Sequence, residues 1–142
     1  MKKLVARTLM FLLLGVLMFG SSALAQRVER VIQANIPFDF NVGSQTFPAG
    51  NYSLVSSAPA LLELRDDKGH TLVKVLTNAV ETLNTPASPT LQFNSVDGRF
   101  SLAQVWQENY SVGQQLRMPK AWTKIAKGRP VHIQTVTARN AQ

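Results

Sequence analysis

The sequence predicts an all-β fold: an antiparallel sandwich or small barrel of about six to eight strands, set between an N-terminal signal helix and a short basic helix. Three observations carry this. From Ile32 to Val42 the even positions are Ile32, Ala34, Ile36, Phe38, Phe40 and Val42, against Gln33, Asn35, Pro37, Asp39 and Asn41. Alternation at period two is the mark of a strand with one buried and one wet face. Turn residues then recur at short intervals, and no helical period separates the apolar stretches between them.

Taken in order, the chain opens with Lys2, Lys3 and Arg7, an apolar run over 9–20 and a small-residue end at Ala23-Leu24-Ala25. These are the parts of a signal peptide over 1–25, which implies export to the periplasm or beyond. The 12 apolar residues of 9–20 would rise only about 18 Å as a helix, short of a hydrocarbon core of about 30 Å. No later run is long and apolar enough to cross a bilayer as a helix.

The strand over 32–42 carries Pro37 on its wet side. Proline donates no ladder hydrogen bond, so the strand either runs along an edge or bends at Pro37 where the sheet turns a corner. Pro48 presets a turn and Gly50 can take the positive φ that follows, leading into 51–55 with Tyr52 and Leu54 on one face. Residues 61–65 and 71–77 read as strands joined by a hairpin over 66–70. The Pro-, Ser- and Thr-rich stretch 84–90 reads as a loop. Strands on either side of Val96-Asp97-Gly98 are joined by one of the strongest short hairpin signals. Residues 119–127 place Lys120, Lys124 and Lys127 on one helical stripe, with Pro119 suited to a first turn. A last strand can follow over 131–137.

The domain division expected is a leader over 1–25, a β domain over 26–118 and a basic C-terminal element over 119–142. Whole-chain charge is 15 Lys+Arg against 8 Asp+Glu, and removing the leader's three cations leaves a net +4. The asymmetry matters more. Residues 26–108 hold six basic and eight acidic groups, whereas 109–142 hold six basic and none acidic. With no cysteine, the chain has no disulfide, no thiolate chemistry and no lipid-anchoring cysteine.

Three segments, Asn35 to Val42, Pro48 to Tyr52 and Phe100 to Trp106, resemble a family of small exported bacterial proteins of acidobacterial type. Their shared pattern is N-[IV]-P-F-x-F-x-V, then P-A-G-x-Y, then F-L-x-x-V-W. The resemblance extends loosely over 32–120, and the tail beyond it is longer than the family's. These motifs are turn and core residues, so they imply a fold, and the family has no assigned activity.

Chemistry has few candidates. Asp66, Asp67 and Asp97 sit where turns favour Asp, while Asp39 and Glu63 fall on wet strand faces. His70 and His132 have no metal-ligand spacing, and neither a nucleophile elbow nor a phosphate loop is present. The sequence therefore points to a non-catalytic protein with no catalytic, cofactor-binding or metal-binding residues. Nucleic acid is a poor partner for an exported chain, and anionic envelope lipid or polysaccharide suits the basic tail better. The candidate contact set is Lys120, Trp122, Lys124, Lys127 and Arg129. Trp122 either meets that surface or closes one end of the barrel. The alternative is a small-barrel carrier of an apolar ligand, lined by Phe38, Phe40, Tyr52, Phe100 and Trp106.

Overall fold

The computed structural model describes residues 29–141, so the expected signal helix over 1–25 lies outside the described residues. The elements run β1 (Arg30–Ile36), β2 (Phe40–Val42), β3 (Gln45–Phe47), β4 (Gly50–Ala58), β5 (Leu61–Arg65) and β6 (Thr71–Glu81). They continue with β7 (Thr90–Val96), β8 (Arg99–Trp106), β9 (Val112–Leu116), α1 (Lys120–Ala126), β10 (His132–Thr137) and β11 (Arg139–Asn140). The fold is β throughout apart from α1. Among the described residues it has eleven strands rather than the expected six to eight, because short strands form where the sequence gives no alternation.

Pro37 does mark a corner. β1 ends at Ile36, one residue before it, and β2 starts at Phe40 in a different set of partners. β1 lies between β4 and β11, whereas β2 pairs antiparallel with β3 and parallel with β8. The β2–β8 pair makes the sheet mixed, where a wholly antiparallel one was expected.

β6 turns a second corner. Its first half, Thr71 to Leu76, pairs with β5, and its second half, Thr77 to Glu81, pairs with β9. The ladder therefore runs β10-β7-β8-β9-β6-β5-β4-β1-β11 as one open path. Its two ends, β10 and β11, are separated in the chain only by Ala138. The C-terminal segment thus binds β7 with one part and β1 with the next, tying both margins of the sheet together without closing the hydrogen-bond ring.

This placement corrects the expected boundary after Met118. Val136 belongs to the same core as Ile32, Phe40, Leu64 and Phe93, and Ala138 packs against it. The last strands are part of the β domain and not an appendage to it.

The core is built from the alternate residues that face inward, and its centre is aromatic. Phe40 is 0% exposed and meets Tyr52, Phe93 and Phe47 at ring-centroid distances of 5.2, 5.6 and 5.9 Å. Phe38 stacks on Phe100 at 3.9 Å and meets Phe93 edge-on at 5.1 Å. These rings fill the interior against one another.

Trp106 is the exception. The β7–β8 pairing shifts register between Gln92 and Phe93, leaving Ala103 as the extra residue on β8. Such a bulge moves later side chains to the other face. Trp106 consequently lies outside the core cluster, although it is only 6% exposed. It sits across from Gly113 of β9, where an added Cβ would come within 2.6 Å of the indole ring. The ring, held by an Nε1–H bond to Gln104 Oε1 at 3.1 Å, covers the bare backbone of that glycine. Gly113→Ala is expected to lower stability by about 1–3 kcal/mol, the usual range for overpacking, although alanine normally favours strands over glycine. Thermal melts check this, and a smaller loss in the Trp106→Ala background would show that the ring is the obstacle.

On the outer face of β4, β5 and β6, Glu63 is 4% exposed and fully engaged. Its carboxylate oxygens lie 2.9 Å from Lys74 Nζ, 3.0 Å from Arg65 Nη2 and 3.1 Å from Ser57 Oγ. The bond from Lys74, then that from Arg65, outweigh the opposing effect of burial and hold its pKa down to about 2. A depressed carboxylate favours the folded state above its unfolded pKa of 4.5. That contribution is expected to disappear as pH falls from 4.5 towards about 2. Urea titrations at stepped pH check it: wild type loses stability across this window, and Glu63→Gln starts lower and changes less.

The seat of the basic helix as candidate functional site

α1 forms where Pro119 sets the entry and Thr123 N–H closes the first turn onto the Pro119 carbonyl at 3.0 Å. Gly128 then leaves the helix with φ 73°, a conformation glycine adopts without cost, and Pro130 follows. Seven residues hold poorly as an isolated helix, so the helix depends on its seat. Trp122 supplies the anchor. It is 5% exposed, the buried residue of the helix, and with Ile125 it lines a groove shared with the β2–β3 hairpin and the start of β8.

This corrects the expectation that Trp122 is part of an external contact surface: its ring is turned into the body. Lys120, Lys124, Lys127 and Arg129 remain exposed, as expected. Arg129 pairs with Asp97 of the β7–β8 turn, which fixes the exit of the helix to the sheet. Lys120, Lys124 and Lys127, together with Arg99 at the start of β8, pair with no carboxylate among the described residues. The result is a cationic surface held in place by an apolar root.

A groove of about 410 Å³ runs between α1 and the sheet. Its wall is formed by Asp39, Asn41 and Thr46 of the β2–β3 region, Arg99 and Phe100 of β8, and Trp122. Asp39 Oδ1 accepts from Ala49 N–H at 3.0 Å, and Asn41 Nδ2 donates to Thr46 Oγ1 at 2.9 Å. The Trp122 Nε1–H is buried and has no acceptor among the described residues. Leaving such a donor unsatisfied costs about 1–3 kcal/mol, so it needs a reason.

The second candidate set comes apart. Phe40 and Tyr52 are in the packed core with Phe38 and Phe100 half-buried against it, while the bulge at Ala103 places Trp106 on the outer face. They do not enclose a common cavity. The histidines also stay apart from this region's chemistry. His70 Nδ1 lies 3.1 Å from Asp66 Oδ2 within the β5–β6 turn, and His132 is exposed on β10. Among the described residues no three His, Asp or Glu side chains gather as a metal site requires. None of the described helices is long and apolar enough to cross a membrane.

Asp39, Asn41 and Arg99 carry no signal as a group in the sequence, because only the short parallel pairing of β2 with β8 brings them together. Two paired residues leave no readable pattern. Comparison with known proteins returned no match to a family model, a curated protein or a solved structure.

Proposed function

We propose that this protein is an exported, non-catalytic binding module that attaches to the anionic cell envelope through the exposed face of α1. The observation that carries the reading is the arrangement of α1 itself. Lys120 and Lys124 are exposed on a helix rooted by Trp122, Lys127 is exposed at its C-cap, and Arg129 pairs with Asp97 just beyond. Cations at four- and three-residue spacing share one helical face, so an anionic surface meets all three together. Each is worth about 1 kcal/mol near an anionic membrane, and the attraction fades with salt. The same groups are exposed in a stretch, 109–142, that holds no acidic residue. The packed aromatic interior argues against the carrier alternative.

Cell fractionation tests the reading. The full chain expressed in a bacterial host is expected in the envelope fraction and to be released by high salt. Lys120→Glu, Lys124→Glu and Lys127→Glu together should move it into the soluble periplasmic fraction with its fold intact. Equal envelope association of both proteins would refute attachment through α1.

A further inference from the structure

We infer that the groove beneath α1 is a saccharide subsite for an acidic, uronate-bearing glycan. The inference rests on the cationic-face reading and deepens it by naming the ligand class. The groove, at about 410 Å³, has room for a sugar unit, and its lining rather than its size sets it apart. Its chemistry is mixed in a particular way. Arg99 offers a planar pair of donors with no carboxylate partner among the described residues, which suits a ligand carboxylate. Asp39, at the level of Arg99 in the parallel β2–β8 register, offers an acceptor instead. Its Oδ1 is engaged by Ala49 N–H, and its Oδ2 has no hydrogen bond among the described residues.

A carboxylate on the wall opposes a ligand that is anionic all over, such as a phosphate. It favours one that carries hydroxyl donors beside a single acidic group. Asn41 is oriented for the same task, because its amide nitrogen is committed to Thr46 Oγ1 and its carbonyl oxygen stays available. Phe100 and Trp122 supply apolar aromatic surface for the carbon skeleton of a sugar. Lys120 and Lys124 stand on the same helix as Trp122, outside the groove, so one polymer can meet both features.

The test uses residues 26–142, which include every residue of the described core, and isothermal titration with three probes. These are a mannuronate tetramer, a neutral mannose tetramer and phosphatidylglycerol vesicles. Wild type is expected to bind the mannuronate tetramer at least tenfold more tightly than the mannose tetramer. Arg99→Gln should remove most of that preference. Arg99 is exposed, so its variant keeps the fold and the comparison is decisive. Unchanged mannuronate binding in Arg99→Gln overturns the subsite. Binding to vesicles without binding to either tetramer also overturns it, yet leaves attachment through α1 standing. Binding to none of the three overturns both.

Discussion

Removing residues 131–142 is expected to abolish cooperative folding. This segment supplies a six-residue ladder with β7, from His132↔Ser95 to Thr137↔Thr90, and then pairs Arg139 and Asn140 with β1. It also buries Val136 in the main core. Its loss would strip both margins of the sheet at once and expose the inward side of Leu91 and Phe93, each 0% exposed in the intact chain. Folded domains are stable by only about 5–15 kcal/mol, so a deletion of this extent should exceed the whole margin. Circular dichroism and a denaturant titration check it: the truncated chain should show no cooperative transition. A sharp transition near that of the full domain would mean that the tail is dispensable.

Phe40→Ala should cost about 3–5 kcal/mol, the largest loss expected from truncating any single core side chain. Phe40 is wholly buried on a strand of only three residues, yet its ring touches residues of β3, β4 and β7. Truncation would leave a cavity whose walls belong to both halves of the sheet and so cannot easily collapse. Phe40→Leu, which fills most of the volume, should recover much of the loss. Chemical denaturation of the two variants measures it, and a Phe40→Ala cost below about 1 kcal/mol would show that the ring cluster is not the centre of the core.

Particular residues show how far the fold can be read from the chain. The alternation of 32–42 and the proline within it foretell both β1 and the corner, since Pro37 cannot continue a ladder. Asp97 and Gly98 adopt φ 50° and 74°, the paired positive values that an Asp-Gly hairpin needs. Elsewhere tertiary contacts decide. β9, with the sequence VGQQL, has little strand propensity and forms because β6 and β8 flank it and Trp106 covers Gly113. The positive φ expected at Gly50 falls instead at Gly43, 60°, in the β2–β3 hairpin. Alternation counted straight through Ala103 points Trp106 inward, and the bulge that reverses it leaves no local signature there.

The site is legible only on one side. Charge asymmetry and helical spacing point to Lys120, Lys124 and Lys127. Whether Trp122 faces outward or inward depends on a surface to receive it, and that surface is made by β2, β3 and β8, distant in sequence. Pairing that spans the chain this way is set by three-dimensional register, which a one-dimensional period cannot encode.

The most direct measurement is the salt dependence of binding to anionic vesicles by residues 26–142, compared with the same chain carrying Lys120→Gln, Lys124→Gln and Lys127→Gln. Attachment through a docked α1 requires tight binding at low salt, a steep fall as salt rises, and a shallower, weaker curve for the variant at unchanged melting temperature. Superimposable curves for the two proteins would contradict it.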